Sequence, residues 1–76
     1  MVETGQRRVM NQPLSITQQA LRGRKVTDMT DVQLRDWIDA CDQMEAWVHI
    51  TAKARRGWKA ARVRAVTELA RRNERR

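Results

Sequence analysis

Six apolar side chains in the middle of the chain recur at intervals of three and four residues. Such spacing places side chains on one face of an α-helix. The helix has a defined start, because Thr30 and Gln33 have the spacing of a capping box, and Met29 and Leu34 that of a hydrophobic staple. We therefore predict an amphipathic helix over about 31–55. Its apolar face comprises Leu34, Trp37, Ile38, Cys41, Met44 and Val48.

A second helix is needed to cover this face, because a single amphipathic helix leaves its apolar side chains in water. Arg55 and Arg56 followed by Gly57 are typical of a helix C-terminus. We expect a turn at Gly57 and a second, basic helix over about 58–72, and the alternative is one long helix bent at Gly57. The second helix offers as apolar contacts Trp58, Val63, Val66, Leu69 and Ala70.

The length of the chain limits the fold to one small domain. Only 14 of the 76 residues are Leu, Ile, Val or Phe, so the buried core is small. Ser15 and Gln18 form another capping-box pair, which predicts a short helix over 16–22 that ends at Gly23. Residues 1–12 show no apolar period and are expected to be a disordered basic arm. The predicted fold is an all-α helical hairpin, with residues 13–76 as its single domain.

No pattern typical of catalysis, metal binding or cofactor binding occurs in the sequence. Zinc needs about four ligands in fixed geometry, and Cys41 and His49 are the only cysteine and histidine. Cys41 belongs to the apolar face, and we expect His49 at the surface. Glycine-rich phosphate loops and nucleophile–base pairs are missing as well. We expect a non-enzymatic protein, and the lack of a signal peptide or long apolar run favours a cytoplasmic location.

Formal charge is divided unevenly along the chain. It is +4 over 1–27, −5 over 28–52 and +8 over 53–76, which together make the net charge of +7. A surface this basic attracts nucleic acids and acidic protein surfaces. The predicted partner-binding residues lie in the basic C-terminal third and are Lys53, Arg55, Arg56, Trp58, Lys59, Arg62, Arg64, Arg71 and Arg72.

The three tryptophans are the only aromatic residues apart from the histidine. Trp37 lies in the middle of the apolar face and is expected in the core. Trp47 lies at the edge of that face, where it suits either the core or a contact with a partner. Trp58 lies among basic side chains, where it either stacks on an unpaired base or caps the core of the hairpin.

Residues 55–62 resemble the arginine-rich antitermination peptides of phages, with which they share the run Trp58-Lys59-Ala60-Ala61. The arginine block before the tryptophan is thinner here than in those peptides. In length, basicity and Ala/Arg-rich helices, the whole chain resembles small phage-encoded proteins that bind bacterial RNA polymerase. That resemblance implies a non-enzymatic transcription regulator in the bacterial cytoplasm, which docks on a polymerase subunit and blocks initiation or alters termination.

The split charge suits docking on a polymerase, because the basic third fits an acidic surface. The acidic face of the first long helix, which consists of Asp31, Asp39, Asp42 and Glu45, fits a DNA-binding groove. Two alternatives stay open. The first is direct binding of DNA or RNA by the arginine-rich C-terminal helix. The second is a small helical assembly protein that forms a homodimer, because so thin a core often needs a partner.

Overall fold

The computed structural model of the chain describes residues 13–74, which contain helices and turns but no strand. Helix α1 spans Ile16–Ala20, a 3-10 turn spans Val26–Asp28, α2 spans Asp31–Ala46 and α3 spans Ala52–Glu74. The two long helices pack against each other, α1 lies on α2, and the 3-10 turn lies against α3. The predicted all-α helical hairpin is confirmed. The arm predicted at 1–12 lies outside the described residues, as do Arg75 and Arg76.

Capping boxes start the first two helices where the sequence predicts them. The Ser15 hydroxyl accepts the Gln18 backbone N–H at 3.1 Å, and the Gln18 side chain accepts the Ser15 N–H at 3.0 Å. Thr30 and Gln33 make the same two bonds at 3.1 and 2.9 Å. Helix α1 ends two residues earlier than predicted, and Gly23 follows it with a φ of 84°, a left-handed conformation that favours glycine.

The junction between the long helices differs from the prediction. Helix α2 ends at Ala46 rather than near 55, because Trp47 is extended and β-branched residues dominate the connection that follows. The Thr51 hydroxyl accepts the Ala54 N–H at 3.1 Å and so starts α3. Gly57 therefore lies inside a helix, and the turn predicted there is wrong. One interior glycine costs about 1 kcal/mol, which a helix of this length tolerates.

The core is built from one face of α2 and a small part of every other element. Leu34 and Cys41 are completely buried, and Ala65 is their wholly buried counterpart on α3. Val48, which was predicted to extend the apolar face, is 81% exposed because the helix ends before it. Of the five apolar contacts predicted for this helix, Trp58 and Leu69 pack against the core. Val63 and Val66 remain about half exposed, and Ala70 is exposed, so these three predictions are wrong. The partly buried side chains through which α3 packs against the core are those of Trp58, Ala61 and Leu69.

Candidate functional site

All nine predicted partner-binding residues lie on α3, but the structure divides them into paired and unpaired side chains. Arg62 belongs to the paired group and faces α2. Its Nε donates to Glu45 Oε2 at 2.6 Å, its Nη2 donates to Glu45 Oε1 at 3.3 Å, and its Nε lies 3.4 Å from Asp42 Oδ1. Arg55 Nε donates to the Glu45 backbone carbonyl at 3.1 Å. These bonds tie α3 to the end of α2.

The hydrogen bonds from Arg62 also alter the Glu45 carboxyl. They hold the pKa of Glu45 below its ordinary value, and the positive charge of Arg62 acts in the same direction. Charge-assisted, bidentate bonds of this type fix the geometry of both side chains. Arg62 and Glu45 are therefore a structural pair of the hairpin rather than free groups on its surface.

A second group of ion pairs joins the far end of α3 to the start of α2. Arg72 donates to Asp31 Oδ1 at 2.9 Å and to Glu68 Oε2 at 2.8 Å, and it also reaches the Val26 carbonyl at 3.3 Å. Arg71 donates to both oxygens of Glu68 at 3.0 and 2.7 Å. The Glu68 side chain is only 8% exposed. Hydrogen bonds from Arg71 and then Arg72 lower the pKa of Glu68 to about 2.

Four of the predicted side chains remain available to a partner. They are exposed, and none makes a hydrogen bond or ion pair with any residue of 13–74. Since three helical turns bring side chains eleven residues apart back to the same side, Lys53 and Arg64 project from one flank of α3. Arg56 lies farther round on the solvent side. The unpaired cations of α3 are Lys53, Arg56, Lys59 and Arg64.

The structure adds three basic residues that the sequence analysis did not select. Arg22, Arg24 and Lys25 lie in the exposed segment between α1 and the 3-10 turn. This segment lies next to α3, where Arg24 and Lys25 line the same cavity as Arg64. The sequence signal for these residues was the formal charge of +4 over residues 1–27. Only the fold brings these side chains together, because Arg64 lies 39 positions after Lys25 in the sequence.

Trp58 has the packing expected of a structural residue. It is half-buried, and its ring centroid lies 5.3 Å from that of Trp37, with the two rings tilted by 50°. The guanidinium of Arg22 lies over the same ring, 5.5 Å from its centroid. Trp37 is buried as predicted, and Trp47 packs at the edge of the core. Trp58 thus covers the core from the second turn of α3, not from the predicted turn between the helices.

The acidic side chains of the middle third are mostly engaged within the molecule. Asp31, Asp42 and Glu45 pair with arginines of α3. Asp36 accepts the Gln18 side-chain amide at 3.1 Å, which ties α1 to α2. Within the described part of the chain, Asp39 is exposed with no such contact. Little of the acidic face predicted from the sequence therefore remains free.

Residues 13–74 contain no group of three or more His, Cys, Asp or Glu side chains placed to hold a metal ion. Burial raises the pKa of the Cys41 thiol to about 12, and the nearby Glu45 and Asp42 carboxylates add to this. His49 is exposed, with its ring 5.6 Å from that of Trp47. None of the described helices has the length and apolar character needed to cross a bilayer.

In comparisons with known proteins, no family model, curated protein or solved structure matches the chain.

Proposed function

We propose that the chain is a non-enzymatic protein that binds nucleic acid through its phosphates. One observation carries the proposal: Lys53, Arg56, Lys59 and Arg64 of α3 are exposed and unpaired within the described residues. Arginines that already hold carboxylates gain less from a phosphate, because they must first give up an existing partner. Lys53, Arg56 and Arg64 carry no such cost, and Lys59 has only its attraction to the nearby charge of Glu45.

The physical basis is the release of counterions from the nucleic-acid backbone. Each phosphate neutralised by Lys or Arg lowers the slope of log K against log salt by about 0.9 on duplex DNA and about 0.7 on a single strand. With four such contacts, raising the salt from about 50 to about 200 mM weakens duplex binding roughly 100-fold. A net charge of +7 also speeds encounter with a polyanion.

Docking on a bacterial RNA polymerase subunit, the first expectation from the sequence, has less support from this geometry. That expectation required the acidic face of α2 to occupy a basic, DNA-binding groove of the polymerase. Three carboxylates of that face now neutralise arginines of α3. Regulation of transcription through polymerase therefore stays a prediction, and it can be tested alongside the proposal.

The test measures fluorescence anisotropy of labelled single-stranded and duplex DNA with the purified full chain, over a series of salt concentrations. We expect binding that weakens steeply as salt rises. Arg56→Gln should make the negative slope on duplex shallower by about 0.9. The matched control is Arg35→Gln, which removes one exposed charge from α2 and should leave the slope unchanged.

Three results would overturn the proposal. The first is no binding to either DNA at low salt. The second is an equal decrease in the steepness of the salt dependence for the Arg56 and Arg35 variants. That result would mean that only the net charge matters, not the position of the cation. The third is retention of purified RNA polymerase by the nuclease-treated protein without any DNA binding, which would replace the proposal with polymerase docking.

A further inference from the structure

A groove separates residues 22–27 from α3, and we call it the loop groove. Its cavity has a volume of about 350 Å³, at the lower end of the range for small-ligand sites. Arg24 and Lys25 line one side, Arg64 lines the other, and Trp37 and Ala61 contribute the apolar surface between them. No carboxylate side chain is among the described residues that line the cavity.

The backbone that forms one wall of the loop groove is held in place from three directions. Arg72 Nη2 donates to the Val26 carbonyl at 3.3 Å, and Met29 buries its side chain in the core immediately after the 3-10 turn. The Arg24 N–H donates to the Leu21 carbonyl at 3.1 Å, across the turn that Gly23 makes possible. A wall fixed in this way loses little conformational entropy when a ligand binds.

The groove continues along α3 beyond the cationic end. A neighbouring cavity of about 250 Å³ shares Gly23, Trp37 and Ala61 with it and extends past Trp58 to Gly57. A Cβ atom at Gly57 would meet no heavy atom of residues 13–74 within 4 Å. The packing therefore does not demand glycine at this helical position, where alanine is more favourable by about 1 kcal/mol. The missing side chain keeps this end of the groove open.

We propose that the loop groove binds an unpaired strand of nucleic acid. A phosphate lies between Arg24, Lys25 and Arg64, and the strand runs over Ala61 toward Gly57. Cations on both walls suit a single phosphodiester chain, and the apolar surface between them suits a base freed from pairing. A duplex keeps its bases stacked inside and presents only its outer phosphates to a cavity of this size. The inference rests on the proposed function, because it assigns the form of nucleic acid and its place.

The experiment compares two double variants of the full chain on a thymidine oligomer and on a duplex of equal length. Arg24→Gln with Arg64→Gln removes two charges from the groove. The matched control, Arg56→Gln with Lys59→Gln, removes two exposed charges of α3 that do not line it. We expect the groove pair to weaken single-strand binding about tenfold. It should also make the slope of log K against log salt shallower by about 1.4. The control pair should weaken binding of both DNAs by similar factors.

A third variant tests the open end of the groove without changing charge. Gly57→Gln introduces a good helix former that fills the space beside Trp58. It should reduce binding of the single strand severalfold, spare binding of the duplex, and keep the helical circular dichroism signal.

Two results would overturn the inference while the proposed function stands. One is an equal ratio of single-strand to duplex affinity for the groove pair and the control pair. The other is unchanged single-strand binding by Gly57→Gln. Failure of the unmodified protein to bind either DNA would instead overturn the proposed function, and the inference with it.

Discussion

Replacing Gly57 with alanine should stabilise the protein. Gly57 is the sixth residue of α3, and the helix continues for seventeen residues after it. Its backbone is helical, and an added Cβ would meet no heavy atom of the described part of the chain within 4 Å, so alanine introduces no clash there. The substitution therefore changes only helix propensity and the freedom of the unfolded chain.

The size of the gain follows from these two effects. Alanine is favoured over glycine in a helix interior by about 0.8–1.0 kcal/mol. In a domain of this length, about 1 kcal/mol raises Tm by roughly 4–8 °C. Urea and thermal unfolding followed by far-UV circular dichroism measure the free energy of unfolding and Tm directly.

The sign of the effect on stability distinguishes a turn at Gly57 from the observed connection at residues 47–51. If the chain turned at Gly57, that glycine would take the left-handed conformation that ends helices, and alanine would destabilise it by about 1 kcal/mol or more. Gly23→Ala is the matched control, because Gly23 has a φ of 84° and its added Cβ would meet no atom of the described residues within 4 Å. It should lower stability. A loss of stability in Gly57→Ala comparable to that in Gly23→Ala would refute the continuous helix.

Three further predictions concern the ends and the core of the hairpin. Because the pKa of Glu68 is lowered to about 2, its ion pairs stabilise the fold above the ordinary glutamate pKa, and that stability is lost as pH falls from about 4.5 toward 2. Glu68→Gln should therefore lower Tm at pH 7 and flatten the acid limb of Tm against pH; an unchanged acid limb would contradict this. Thr30→Ala should cost about 0.5–2 kcal/mol in urea unfolding through loss of the capping box, and no cost would mean that the cap is dispensable. The Cys41 thiol should resist a thiol reagent until urea unfolds the chain, so rapid labelling of the native protein would contradict its burial.

Features encoded over a few neighbouring residues were predictable from the sequence. A capping box needs only a hydroxyl and an amide three residues apart, so both helix starts are correct. The apolar face of α2 is correct through Met44 for a similar reason, since its period is local. In each of these cases the interaction forms within one or two turns of the same helix.

The position of the turn between the helices was not predictable in this way. Gly57 after two arginines has the local pattern of a helix end, whereas residues 47–51 contain no glycine or proline. The balance between the two sites depends on packing along the whole hairpin. With the turn at 47–51, Ala65 is wholly buried and Trp58 reaches Trp37, which the local pattern cannot reveal.

The division of the arginines into paired and unpaired groups also depends on tertiary structure. Arg62 and Arg64 are two residues apart in the same basic segment and look equivalent in the sequence. Helix geometry turns Arg62 toward Glu45 and Arg64 toward the loop groove. A count of positive charges therefore identified the basic segment but not the side chains free to bind a phosphate.

The central claim is that an unpaired strand binds in the loop groove. It is tested most directly by titrating the ¹⁵N-labelled full chain with a thymidine oligomer and following the amide chemical shifts. Binding in the loop groove should shift the amides of residues 22–27 and those of Gly57, Ala61 and Arg64 in a concentration-dependent manner. Shifts confined to the exposed face of α2 around Asp39 would contradict it.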